Sequence, residues 1–212
     1  MIDEKILTMQ SKCRQATKEK HMGHCSVLSE MNLADIERLY IGDSILERFE
    51  WKDYNKKHLF PNSFFLAKGG DKVQNLIWRL ENLNFTFPNV KSVVLCIGTN
   101  NIGHDSSPTI AKGVERCIEL ILEKIPDGAT IYLLPIYFYE KEEPSIKEYN
   151  DQLSLLSKRF ERKRRGPDIT CPEKFWKIID EYDLRDHVYE DHIHLNEKGY
   201  DIFYENLMRV FQ

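Results

Sequence analysis

The sequence predicts an α/β domain built on a mostly parallel sheet. Two observations carry this. Short apolar runs alternate with segments of helical period, in the order expected of βαβ units. Two of those runs, VKSVVLCIG (90–98) and ATIYLLPIY (129–137), are aliphatic almost throughout, as a strand covered on both faces requires.

The elements follow in order. Residues 3–20 are charged and mostly helix-permissive, and 1–35 are expected to form an N-terminal helical extension ahead of a main domain at 36–212. IERLYIG (36–42) and SFFLA (63–67) are strand-like. After Asp71, the residues Val73, Leu76, Ile77 and Leu80 mark one helix face. Ser107-Pro108 is expected to act as an N-cap followed by proline at the first helical position. Ile110, Val114, Cys117, Ile118 and Ile121 then share a stripe. Ser145 with Glu148 has the spacing of a capping box, followed by Ile146, Tyr149, Leu153, Leu156 and Phe160. KIID (177–180) is a candidate fifth strand. Asn196 is expected to cap the last helix, along which Tyr200, Phe203, Leu207 and Val210 align.

Composition narrows the function. The chain has 212 residues, 42% of them apolar and 30% charged, with a net charge of −4. This suits one ordinary globular domain and argues against a nucleic-acid partner, which calls for a basic surface. Five cysteines (Cys13, Cys25, Cys96, Cys117, Cys171) are scattered without a Cys-x-x-Cys, the pattern of a reducing, cytoplasmic compartment. The charged N-terminus is not a signal peptide. The apolar stretch 131–139 is interrupted by Pro135 and falls far short of the ~20 residues of a transmembrane segment.

In an open parallel sheet, ligands bind beyond the carboxyl ends of the strands. Three successive strands end in Gly42-Asp43-Ser44, Gly69-Gly70-Asp71 and Gly98-Thr99-Asn100-Asn101. Glycine allows a tight turn and close approach of a backbone N–H to a ligand. A fourth block, Asp191-His192-Ile193-His194, can set a carboxylate against Nδ1 of His194 and leave Nε2 as a general base. Ser44, His194 and Asp191 then supply nucleophile, base and orienting carboxylate. The N–H groups of Ser44 and Gly70 and the Asn100 amide are candidate oxyanion donors.

Each block has a plainer reading. Ser44 can be a turn residue, Gly69-Gly70 a simple turn, Asn100 a loop hydrogen-bonder and Asp191/His194 a surface pair. Only their joint occurrence favours a site. His187, Asp191, His192 and His194 also offer zinc-type ligands, though in no closed four-ligand spacing. His21, His24 and Cys25 are assigned to a mobile N-terminal linker rather than to a metal. The basic run Lys158, Arg159, Arg162, Lys163, Arg164 and Arg165 fits a helix C-terminus better than an anionic partner. Trp51, Tyr54, His58 and Phe60 are either core or one wall of a substrate mouth.

Taken together, the four blocks resemble the SGNH (GDSL) hydrolase superfamily. Gly69-Gly70-Asp71, Trp78-Arg79-Leu80 and Gly98-Thr99-Asn100-Asn101 are similar to its acetylhydrolase branch, the catalytic subunits of intracellular platelet-activating-factor acetylhydrolase. The resemblance spans about 36–211. It implies a flavodoxin-like, three-layer α/β/α fold with a central sheet of about five strands, and serine-dependent ester hydrolysis without metal or other cofactor. It maps the family's four named residues onto Ser44, Gly70, Asn100 and His194. Isoleucine replaces the usual leucine after Ser44, and Asn101 stands where many members carry aspartate. By the same resemblance, Ile45, Thr99 and Ile193 shape a tight acyl pocket that prefers acetyl groups on a lipid or small-molecule alcohol. A homodimer is the expected assembly. A carbohydrate O-acetylesterase, a lysophospholipase, a metal-dependent hydrolase and a non-catalytic relative binding an acetylated ligand or partner are the alternatives.

Overall fold

The computed structural model describes residues 14–51, 62–137, 144–161, 168–172, 175 and 188–211. Five strands form one sheet: β1 (Arg38–Gly42), β2 (Ser63–Ala67), β3 (Ser92–Cys96), β4 (Thr130–Leu133) and β5 (Asp168–Thr170). Their spatial order is β2-β1-β3-β4-β5, and every pairing is parallel. This is the flavodoxin-type order, in which the chain reverses direction across the sheet between β1 and β3. The register sets Gly42 opposite Ala67 on one side and Cys96 on the other. The loops after these three strands therefore leave the sheet at one level.

Alternation within each strand divides the core into two layers. Leu39, Ile41, Val93, Leu95 and Ile131 point to one face, while Tyr40, Phe65, Val94 and Cys96 point to the other. The first face is covered by α1 (Gln15–Glu30), α3 (Val73–Glu81), α4 (Ser107–Leu122) and α5 (Pro144–Glu161). The second is covered by α2 (Ser44–Phe49) and α6 (Glu197–Val210). All five residues of β3 are buried, which explains a run apolar at nearly every position. On the second face, Phe49 of α2 meets Phe203 of α6 edge-to-face at 4.9 Å, a pairing worth about 0.5–1.5 kcal/mol beyond its buried area. Tyr200 Oη donates to Ile45 O at 2.9 Å, so the two helices are also joined by a buried hydrogen bond.

Several local expectations change. The fifth strand is Asp168–Thr170; KIID (177–180) lies outside the described residues. Only three residues long, between Gly166-Pro167 and Cys171-Pro172 in the sequence, β5 is too short to show a period. Ser106, not Ser107, is the N-cap of α4, and Ser107 instead turns inward to donate to Ser145 O at 3.0 Å. Ser145 lies inside α5, which begins at Pro144. Asn196 does cap α6, accepting from Gly199 N at 3.0 Å.

The cluster His21, His24 and Cys25 is not in a linker. It lies in α1, whose Thr17, His21, His24 and Leu28 form a buried stripe. His21 packs edge-on against Trp78, and His24 against Phe64. Burial, with Arg79 nearby, pushes His24 down to about 3, so it is a neutral core histidine at pH 7. The helix is polar on average, and a stripe in which Thr17, His21 and His24 are themselves polar gives no apolar period to read.

Candidate active site

β1 ends close against β3 because Gly42 has no side chain: a Cβ there would collide with Cys96 O. Asp43 then caps α2, its Oδ1 accepting from Ile45 N at 3.1 Å. Ser44 is thereby placed at the first position of a helix. Asp43 is wholly buried, and that burial pushes its carboxyl up to about 7.

His194 reaches Ser44 from the loop before α6. Its Nε2 is 3.0 Å from Ser44 Oγ, and its Nδ1 is 2.7 Å from Asp191 Oδ2. Asp191 Oδ1 also accepts from the backbone N–H of Ile193 at 2.8 Å and of His194 at 2.7 Å. Desolvation alone would raise this carboxyl. The hydrogen bonds from the His194 ring and the two N–H groups outweigh it and hold Asp191 near 2. The loop is secured at both ends: Tyr189 bridges Leu195, and Arg48 of α2 pairs with Glu190 at 3.0 Å.

The candidate oxyanion donors sit on the neighbouring loops. Gly70 has φ +75, a conformation that glycine adopts without strain. Among the described residues, neither Ser44 N–H nor Gly70 N–H has a protein partner. Gly69 N–H, in contrast, is engaged by Glu47 Oε2 at 2.7 Å. The Asn100 amide donates one hydrogen bond to Asp71 O at 2.9 Å. A carboxamide has two such donors, so the second remains for a ligand. Asn101 is structural: its Oδ1 accepts from Val73 N at 2.9 Å, and its Nδ2 donates to Gln74 and Asp105.

Ile45, Thr99 and Ile193 line one small cavity of about 10 Å³, together with Pro135, Tyr137 and Tyr189 among others. Sequence reasoning missed this second half. A signal was present, because Pro135 and Tyr137 follow the carboxyl end of β4, where the same strand-end rule applies. Tyr189 had no such signal, since only the fold brings it to the cavity, stacked on Tyr137 at 6.2 Å.

Other candidates do not join this site. Among the described residues, no three His, Cys, Asp or Glu side chains come together as metal ligands; His187 lies outside them. Trp51 is 62% exposed, while Tyr54, His58 and Phe60 are outside the described residues. Lys158 and Arg159 occupy the last turn of α5, and Arg159 pairs with Glu115 at 2.9 Å; Arg162, Lys163, Arg164 and Arg165 are outside. The four described cysteines form no disulfide. Among the described residues, no helix is long and apolar enough to cross a membrane.

This sheet order, with a Ser–His–Asp chain at its carboxyl edge, is the arrangement of a hydrolase that attacks carbonyl groups. The GDSL-like Lipase/Acylhydrolase family model matches residues 40–202, and the chain belongs to that family. Its chemistry is therefore acyl-ester hydrolysis. Human platelet-activating factor acetylhydrolase IB subunit alpha1 is 25% identical over 166 residues, covering 77% of this chain and 70% of that protein. The Drosophila melanogaster IB subunit beta homolog is 27% identical over 139 residues, covering 65% and 60%. Among solved structures, a Streptococcus pneumonia protein assigned provisionally as a platelet activating factor superposes with a TM-score of 0.77 at 18% identity, covering 99% of each chain. A Veillonella parvula protein of the lipolytic G-D-S-L family gives 0.63 at 21% identity, covering 83% and 98%. At these identities the structural likenesses speak for the fold.

Proposed function

We propose that this chain is a serine-dependent esterase that removes short acyl groups, acetyl above all, from a lipid or small-molecule alcohol. The observation that carries the reading is the continuous hydrogen-bonded line from Asp191 through His194 to Ser44, 2.7 Å and 3.0 Å in its two links. With Nδ1–H directed at the Asp191 carboxylate, the Nε2 lone pair faces the Ser44 hydroxyl. His194 takes the hydroxyl proton as Ser44 Oγ adds to the ester carbonyl. The carbonyl oxygen gains negative charge and is held by Ser44 N–H, Gly70 N–H and the free N–H of Asn100. His194 then gives the proton to the departing alkoxide, which leaves as the alcohol. Water, deprotonated by the same imidazole, adds to the acyl-serine; collapse releases the acid and returns the proton to Ser44.

The lean to acetyl is supported by the cavity between Ile45, Thr99 and Ile193. Its volume of about 10 Å³ accommodates a group about the size of one water molecule. The acetylhydrolase names of the relatives agree with that size. Cytoplasmic residence and homodimeric assembly complete the reading; the cysteines and the intracellular branch support the former, and the branch alone the latter.

The test is intact-mass measurement after reaction with a fluorophosphonate, followed by location of the adduct. One adduct on Ser44, absent from Ser44→Ala, is expected. No adduct at Ser44, or undiminished p-nitrophenyl acetate hydrolysis by Ser44→Ala, overturns the mechanism.

A further inference from the structure

Helix α1 precedes the stretch 40–202 that defines the family, yet its Thr17 and its N-cap residue Arg14 reach the loop carrying Gly70, and its Lys20 reaches Glu47 of α2. Thr17 Oγ1 donates to Asp71 Oδ1 at 2.8 Å, in a buried contact. Arg14 Nη1 donates to Gly70 O at 3.2 Å. Lys20 Nζ lies 3.3 Å from Glu47 Oε1, and the other oxygen of Glu47 accepts from Gly69 N. The Gly69–Gly70 peptide, whose N–H is the candidate donor, is thus held on both sides by groups that α1 supplies or braces.

Asp71 is the junction of this arrangement. Its Oδ2 is 2.9 Å from Arg79 Nε, both side chains buried. Arg79 Nη2 donates to Leu66 O at 2.9 Å and to Gly42 O at 3.3 Å, tying together the ends of β2 and β1. The main-chain oxygen of Asp71 receives the Asn100 amide from the loop after β3. One buried ion pair therefore connects all three strand-end loops, and the α1 hydroxyl adds a hydrogen bond to the other oxygen of the carboxylate. A buried carboxylate deprived of a donor is costly and seeks another geometry. Burial pushes Asp71 up, opposed by Arg79 and by the Thr17 hydrogen bond.

We infer that α1 is a working part of the oxyanion cradle: Thr17 is a positioning residue that sets Asp71, and through it the Asn100 amide, while Arg14 sets the Gly70 peptide. This rests on the serine-esterase reading above. Donors of this kind assist a reaction only when they are preorganised around the developing charge. A displacement of order 1 Å from a change outside the site can cost about 100-fold.

The experiment uses the full chain with p-nitrophenyl acetate over a range of concentrations, alongside fluorophosphonate labelling rates. Thr17→Val is expected to lower kcat and the labelling rate together by about 10- to 100-fold, with KM little changed, and Thr17→Ser to restore both. Arg14→Met, a change at an exposed position, is expected to lower kcat in the same sense; it carries the test alone if Thr17→Val does not fold. Ser44→Ala separates the two readings. If Ser44→Ala is inactive while Thr17→Val and Arg14→Met keep the parent kcat, or raise KM alone, the positioning role is wrong and the esterase reading stands. If Ser44→Ala keeps the parent rate, the esterase reading falls and the positioning role falls with it.

Discussion

His194 Nε2 lies 3.0 Å from Ser44 Oγ, across 150 positions of sequence. The contact depends on packing far from the reacting atoms: Phe49 and Phe203 lock α2 to α6, and Arg48 holds Glu190. Both side chains sit at element ends, Ser44 opening α2 and His194 two residues before the cap of α6. Ser44→Ala or His194→Ala is expected to reduce turnover of p-nitrophenyl acetate by about 10⁴–10⁶ while the thermal midpoint stays close to the parent's. A collapse of the midpoint would assign the pair to folding instead.

Asp191 should act by orientation, because it is already ionised throughout the working range. Held near 2 by the His194 ring and two backbone N–H groups against the desolvation that opposes them, it does not titrate above about pH 4. A pH–rate profile for kcat/KM is expected to show no Asp191 limb there. Asp191→Asn is expected to cost about 10³–10⁴ in kcat, and an Asp191→Asn enzyme within tenfold of the parent would remove the carboxylate from the mechanism.

Loss of a proposed oxyanion donor is expected to give a smaller, distinct effect. Asn100→Ala removes the free N–H and the bond to Asp71 O, with an expected loss of about 10²–10³ in kcat. Fluorophosphonate labelling should slow in parallel, since its transition state also carries charge on oxygen. Labelling at the parent rate would place the developing charge elsewhere.

The proposed acyl pocket makes a separate prediction. Ile193 borders the cavity of about 10 Å³, and Ile193→Ala opens it. One methylene in such a pocket is worth about 10- to 200-fold in selectivity, so the butyrate-to-acetate ratio of kcat/KM should rise by about tenfold. An unchanged ratio across the p-nitrophenyl ester series would place the acyl chain outside this cavity.

Asp43 links the site to stability. Burial pushes its carboxyl up to about 7, well above the unfolded value of about 3.9. Between these values the folded chain holds the proton and the unfolded chain does not. The contribution is therefore most favourable below about pH 4 and is lost as pH rises towards 7, by at most about 4 kcal/mol. Asp43→Asn should flatten this slope. Urea denaturation at pH 5 and pH 8 measures it, and equal slopes in parent and variant would exclude Asp43 as the source.

Much of this molecule can be read from the order of its residues. Val93 to Cys96 cannot form a half-exposed strand, because both alternating faces are apolar, so a covered parallel sheet follows from local chemistry. Glycine at positions 42, 70 and 98 marks the strand ends for the same local reason, and the Asp191–His194 contact spans one turn. β5 was illegible because three residues contain no period, and the packed face of α1 because its average polarity masks a stripe one residue wide.

What the linear chain determined, then, is whatever depends on a few neighbouring side chains: the runs, the turns, the helix stripes and the blocks that hold the proposed reactive groups. Tertiary structure alone decided the convergences: Tyr189 on Tyr137, Arg79 on the ends of two strands, Thr17 on Asp71. Such contacts join groups tens of positions apart, and their geometry is set by how the layers pack against the sheet, a quantity that no short window of sequence contains.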